Sequence, residues 1–258
     1  MAQVHPTAII DSQASLASNV SVGAYSVIEG EVTIGAGSSI GPHVVIKGPT
    51  RIGVENRIFQ FASIGDDPQD KKYNGERTEL IIGDRNVFRE TCTVNRGTAA
   101  GGGVTRIGDD NLFMAYTHVA HDCVVASHCI LANYSGLAGH VELDDWVILG
   151  GYSGVHQFCK IGAHAFLANN ATATRDVPPF VMVAGAPAEP KGINSEGLKR
   201  RGFSADDLAA VKAAYKVLYR SGLKLSEATA ELVVLADSCA ALQPLIDFLP
   251  RVTRSLVR

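Results

Sequence analysis

The chain has 258 residues and a formal net charge of −3, so it can bury a sizeable core but carries no overall cationic field toward nucleic acid or an anionic membrane. Its five cysteines, Cys92, Cys123, Cys129, Cys159 and Cys239, are odd in number and form no C-x-x-C pair, which indicates neither a disulfide framework nor a zinc ribbon. The opening "MAQVHPTAIIDSQAS" lacks the basic flank and apolar run of a secretory signal, and no stretch approaches the roughly 18 to 20 apolar residues that cross a bilayer, so a soluble cytoplasmic protein is expected.

From the N-terminus onward a six-residue period dominates. Steps of six from Val4 reach Ile10, Leu16, Val22, Ile28, Ile34, Ile40, Ile46, Ile52, Ile58 and Ile64, all aliphatic. The phase continues at Ile82, Phe88 and Val94, slips by one, and resumes at Ile107 to run through Val119, Val125, Leu137, Val155 and Ile161 as far as Leu167. A period of six fits neither a helix at 3.6 nor hairpins with two-residue turns. It fits short strands joined by tight corners, with one aliphatic side chain per hexad stacked inside a parallel β-helix. With three hexads per triangular coil, about ten coils fit in residues 1 to 187, giving a prism about 48 Å long at the usual strand spacing.

Two segments interrupt the period. Residues 66–80, "DDPQDKKYNGERTEL", are charged, and residues 96–105, "RGTAAGGGVT", are glycine-rich. Both are expected to leave the stack as surface loops. The triple glycine is no phosphate loop, because no Lys-Ser/Thr pair and no helix follow it. The repeat ends near "DVPPFVMVAGAPA", placing the β-helix at 1–190 and a helical domain at 191–258. In that domain Ser204 and Asp207 have capping-box spacing, Gly222 stops the helix, and 226–238 and 241–256 can form further helices.

Residues 18 apart should lie above one another, so His121, Gly139 and Gln157 form one surface column, flanked by His140 and His156, with His118 half a hexad away. Three chemistries compete for this cluster. The histidines can be surface polar residues, or three of them (His118 or His121 with His140 and His156) can hold zinc as in γ-class carbonic anhydrases. Alternatively one can act as a general base beside an oxyanion donor, with Asp122 biasing its orientation, although neighbours on a strand point to opposite sides.

The motifs "HPTAI", "FQFASIG", "HVAHDC", "LAGHV", "VHQFC", "IGAH", "DVPPF" and "NSEGLKRRGFS" occur in the order and spacing of the UDP-N-acetylglucosamine acyltransferases, which the chain resembles over its whole length. The resemblance implies a left-handed β-helix, mainly β, with a C-terminal α-helical domain. It implies transfer of an (R)-3-hydroxyacyl group from acyl carrier protein to the glucosamine 3-hydroxyl of UDP-N-acetylglucosamine, the first step of lipid A synthesis. No metal and no cofactor is implied beyond the phosphopantetheine that carries the donor. Carried over by motif, His121 is the general base, Asp122 its dyad partner, and the Gly139 N–H the oxyanion donor. Asp70 and Lys72 meet the sugar and the acyl donor, and His118, His140 and Gln157, with His156 close by, position sugar and acyl groups. Asn194, Glu196, Arg200 and Arg201 meet the uridine diphosphate. Family members are homotrimers with sites between prisms, which implies that the first loop of one subunit completes its neighbour's site.

Three positions depart from the family pattern. Asn95 stands where "HRGT" has histidine, Ser195 replaces an apolar residue, and Asn169 occupies a glycine position at the end of the acyl groove. A larger ruler residue predicts an acyl chain of roughly ten to twelve carbons, since a pocket discriminates methylenes by size. The rival readings are a sibling hexapeptide acyltransferase (a sugar O-acetyltransferase or an N-acyltransferase), a zinc γ-class carbonic anhydrase and a purely structural or binding solenoid.

Overall fold

The computed structural model describes residues 2–258. Residues through Ala184 wind into a prism with three faces: a nine-stranded sheet through His118, an eight-stranded sheet through Val124 and an eleven-stranded sheet through Ile130. Pairing is parallel with a step of 18 where no loop intervenes, as in His118 opposite Gly136 and Gly136 opposite Gly154. Among the described residues only the last pair, Val181–Ala184 with Glu189–Ile193, is antiparallel.

The hexad aliphatics point inward and form one core from Val20 to Val183. Because parallel strands lie about 4.8 Å apart, identical positions on successive coils touch, and side chains of like shape stack. Phe88 and Phe113 do so inside, with ring centroids 4.6 Å apart. Buried corner polar groups are satisfied the same way: Asn111 Nδ2 donates to the Ala126 carbonyl at 2.9 Å, while its Oδ1 accepts from Cys129 N at 2.7 Å.

Most corners turn on a non-glycine residue in the left-handed region, with φ values such as 63° at Tyr116, 60° at Asp122 and 61° at His128. The recurrence builds three external columns. One corner carries Tyr116, Tyr134, Tyr152 and Asn170; the second carries Asp122, His140 and Phe158; the third carries His128, Trp146, His164 and Phe180.

Both interruptions leave the coil. The first spans the gap between strands Ser63–Asp66 and Glu79–Ile82. The second is shorter than its composition suggests: Val104–Ile107 is a strand paired with Glu79–Ile82, so the excursion is confined to 96–103 and contains a single 3-10 turn at Ala99–Gly101.

Helices α1 (Ser195–Arg200), α2 (Ala205–Arg220), α3 (Leu225–Asp237) and α4 (Gln243–Phe248) close the C-terminal end. The capping box forms, with Ser204 Oγ accepting from Asp207 N at 3.1 Å and Asp207 Oδ2 accepting from Ser204 N at 2.9 Å. The last expected helix is cut to six residues between 3-10 turns, because Pro250 has no N–H to continue the ladder. Asp176, fully buried, anchors the tail by accepting from Lys160 N, Thr253 N and Arg254 N at 2.8, 2.8 and 3.0 Å.

Candidate active site

The corner between the His118 and Val124 faces gathers most of the residues singled out from the sequence. Residues 120–123 are a turn rather than a strand, and Asp122 is left-handed, so its carboxylate swings back to the ring of its own neighbour. His121 Nδ1 and Asp122 Oδ2 are 2.8 Å apart. The objection from strand alternation therefore falls away.

Asp122 has a side chain only 1% exposed, and its oxygens are spoken for. Oδ1 accepts from Thr98 N at 2.8 Å and Oδ2 from Thr98 Oγ1 at 2.6 Å, while Asp122 N donates to Thr105 Oγ1 at 2.8 Å. Because a carboxylate only accepts, its bond to His121 assigns the proton to Nδ1 and leaves Nε2 with a lone pair.

Gly139 sits directly over this ring. A Cβ built on it would lie 2.6 Å from His121 Cε1 and 2.8 Å from Nε2, so a side chain there and the observed ring position exclude each other. The Gly139 N–H donates to no group among the described residues. An unengaged N–H beside a histidine lone pair can stabilise an oxyanion formed by attack next to that histidine.

A cleft of ≈ 700 Å³ opens on His121 and is lined also by Asp70, Lys72, Thr98, His140, Gln157 and Phe158. The first loop thus lines the cleft of its own chain. Asp70 is a turn organiser, its Oδ1 accepting from Lys72 N at 3.0 Å. His140 stacks on Phe158 with centroids 4.4 Å apart and meets His121 edge to face at 5.2 Å. His118 is half-buried, with Nδ1 at 2.7 Å from Thr93 Oγ1. Burial pushes both the His118 and His140 imidazoles below their ordinary 6.5, so both are neutral hydrogen-bonding groups near pH 7.

His156 is exposed and outside this cleft, its Nδ1 3.3 Å from the Gln157 carbonyl. The three-histidine zinc set does not converge. Among the described residues the group within ligand reach is His121, Asp122 and His140, whose Asp122 oxygens already serve Thr98 and His121. Cys123 points inward, its thiol pushed up to about 12 by burial, and supplies no nucleophile.

The remaining candidates lie elsewhere on the molecule. Asn194 caps α1 and donates to the His164 carbonyl at 3.0 Å. Arg201 approaches His164 Nδ1 at 3.1 Å with its guanidinium 5.0 Å from the Trp146 ring. Glu196 pairs with Lys199 at 2.8 Å, and Arg200 is exposed. This is the His164 corner, so one chain does not bring these four residues to His121. Asn169 lies at the tyrosine corner, its Oδ1 accepting from Gly151 N at 3.0 Å.

His164 gives the third corner a pH signature. Burial, reinforced by Arg201, lowers its pKa from 6.5 to about 4. A depressed value means stability is fully present above 6.5 and lost as pH falls toward about 4. The unfolding midpoint should therefore drop across that window by more in the native protein than in His164→Gln, as thermal scans at a series of pH values would record.

Comparison with known proteins agrees with this architecture. Residues 176–257 match the family profile described as "Udp N-acetylglucosamine O-acyltransferase; Domain 2", and 13–48 and 105–139 match bacterial transferase hexapeptide repeats. The chain is 60% identical over 258 residues, the whole of both proteins, to the acyl-[acyl-carrier-protein]–UDP-N-acetylglucosamine O-acyltransferase of Thiobacillus denitrificans. The chain belongs to the UDP-N-acetylglucosamine O-acyltransferase family. Solved acyltransferases of Moraxella catarrhalis (46% identity, 99% of both chains) and Francisella novicida (43% identity, 99% of this chain and 94% of that one) superpose with TM-scores of 0.97.

In this acyltransferase, sequence reading missed Thr98, Thr105 and Phe158. Phe158 was within reach, standing 18 residues after His140 in the same corner column. Thr98 was not, because its excursion obeys no period.

Proposed function

We propose that the protein transfers an (R)-3-hydroxyacyl group from acyl carrier protein to the 3-hydroxyl of UDP-N-acetylglucosamine, at the head of lipid A synthesis, with His121 as general base. The observation that carries this reading is the contact of His121 with both Asp122 and Gly139. His121 Nε2 takes the proton of the sugar hydroxyl as the oxygen attacks the thioester carbonyl. The carbonyl oxygen becomes an oxyanion facing the Gly139 N–H. Collapse breaks the carbon–sulfur bond, and the imidazolium returns its proton to the departing thiolate. No covalent enzyme intermediate is needed, because proximity, a base and an oxyanion donor suffice.

Asp70, Lys72, His140 and Gln157 line the cleft as sugar and acyl contacts, and His118 on the adjoining strand and His156 beside Gln157 position the same groups from outside its lining. Asn194, Glu196, Arg200 and Arg201 hold the uridine diphosphate. Since they sit on a different corner from His121, they serve a neighbouring chain's cleft in a homotrimer. An exposed aromatic stripe supports such packing: Tyr25, Phe61, Tyr116, Tyr134 and Tyr152, between 48% and 64% exposed, run along one corner. Lys212, Lys216 and Arg220 follow each other every four residues on the exposed side of α2, with no carboxylate within 4.0 Å among the described residues, and suit an anionic carrier protein.

Gly136 and Gly154 leave the outward His118 face open from His121 toward the tyrosine corner, where Asn169 ends the path. Asn169 thereby limits the acyl chain to roughly ten to twelve carbons. Mass spectrometry of products from a panel of acyl carrier protein donors, offered with UDP-N-acetylglucosamine or its 3-amino analogue, tests the assignment: an ester of the 3-hydroxyl is expected. In the same assay Asn169→Gly should move the preferred donor about two carbons longer. An unmoved preference refutes the ruler.

A further inference from the structure

We propose that the segment Asn95–Thr98 is a strap that sets both sides of the cleft at once, with Arg96 and Thr98 as positioning residues; the proposal rests on the general-base reading of His121. The strap leaves the end of strand Thr93–Asn95 and opens the second excursion, ending at Thr98, the cap of its 3-10 turn. It is tightly held, for a Cβ on Gly97 would lie 2.2 Å from Val104 N.

Its first half grips the first loop. Arg96 is 7% exposed, and its guanidinium donates to the Gly65 carbonyl, to the Asp67 carboxylate and, at 3.3 Å, to Tyr73 Oη. Gly65 and Asp67 are the loop's root, whereas Tyr73 lies beyond Asp70 and Lys72, whose turn closes through Tyr73 N and the Asp70 carbonyl at 3.0 Å. One buried fork therefore spans the base of the very turn that presents Asp70 and Lys72. Asn95 adds a second clamp, its Nδ2 donating to the Asp67 carbonyl at 2.8 Å. A lysine, as a single point charge, cannot serve three separated acceptors in this way.

The second half grips the dyad. Thr98 gives both its N–H and its hydroxyl hydrogen to Asp122, and its Oγ1 accepts from Gly101 N at 3.1 Å. The turn it starts presses against the same carboxylate, since a Cβ on Gly101 would lie 2.1 Å from Asp122 Cγ. Asp122 has no other side-chain donor except His121 and, at the longer distance of 3.6 Å, His140. Thr98 thus decides where the carboxylate stands, and the carboxylate decides where His121 Nε2 points. Residues two apart in sequence therefore tie the loop bearing the acceptor contacts to the orientation of the base.

The test uses the full-length protein with acyl carrier protein donors and UDP-N-acetylglucosamine, together with the downfield proton resonance of the His121 Nδ1–H. Thr98→Val keeps the shape and the amide donor but removes the hydroxyl. It should lower kcat about tenfold, with KM for the sugar nucleotide within about twofold, and shift the Nδ1–H resonance. Thr98→Ser should restore both. Arg96→Lys should raise that KM about fivefold while the resonance stays in place. The strap is overturned if Thr98→Val keeps native kcat and an unmoved resonance, if Thr98→Ser is as impaired as Thr98→Val, or if Arg96→Lys keeps native KM. Transfer that survives in His121→Ala instead defeats the general-base reading, and the resonance and the Arg96 arm still report on the strap.

Discussion

His121→Ala is expected to lower kcat/KM by about 10²- to 10⁴-fold, the usual contribution of a positioned general base. The ring is the one group in the cleft that combines a fixed tautomer with a free lone pair. His118 gives Nδ1 to Thr93, and His140 stacks on Phe158 and has only a 3.6 Å approach to Asp122. Removing His121 also uncovers Asp122, but that carboxylate keeps both bonds from Thr98, so the fold should tolerate the change with a small loss of stability. Steady-state kinetics with saturating donor, beside a thermal scan, separates the two effects. His121→Asn should be as impaired, because an amide offers no basic nitrogen. Transfer at near-native rate in either variant would remove the base assignment.

Gly139→Ala should be nearly as damaging although it adds only one methyl. The new Cβ would stand 2.6 Å from His121 Cε1, closer than non-bonded carbons approach, and the atoms it meets belong to a side chain that can rotate away. Rotation relieves the clash cheaply in stability but breaks the 2.8 Å bond to Asp122 and moves Nε2 out of line. The methyl also crowds the space in front of the Gly139 N–H, where the oxyanion would sit. Losing one oxyanion donor costs about 10²- to 10³-fold in kcat, and the displaced base adds to it. A thermal midpoint within a few degrees of native, with kcat down by at least two orders of magnitude, is the expected combination. A variant with native kcat would show that neither the ring position nor this N–H matters.

What could be read from the sequence follows from where the period reaches. Stacking at 18 residues is enough to put Gly139 over His121, because parallel coils repeat their geometry and successive corners inherit the same left-handed turn. The same rule separates the Tyr116, Asp122 and His128 columns onto three corners. The dyad was harder. Adjacent residues meet only because Asp122 is left-handed at a corner, which strand alternation argues against and the position within the hexad favours. Thr98 stayed hidden because its contact with Asp122 spans 24 residues through a loop, where neither period nor composition fixes the path. The glycines beside it suggested phosphate binding and were set aside, whereas Gly101 is needed so that the turn can lie against the Asp122 carboxylate. Arg201 lies past the end of the repeat, so its corner became known only from its contacts with His164 and Trp146.

In the homotrimer proposed above, His121 and Arg201 stand on different corners, so two chains would build each site together. Co-expression of His121→Ala with Arg201→Ala, each carrying its own affinity tag, tests this most directly. Each variant alone should be nearly inactive. Mixed trimers, isolated through both tags, should regain about a third of native activity, because one interface in each mixed ring pairs an intact His121 from one chain with an intact Arg201 from its neighbour. Mixed trimers as inactive as their parents would contradict the account.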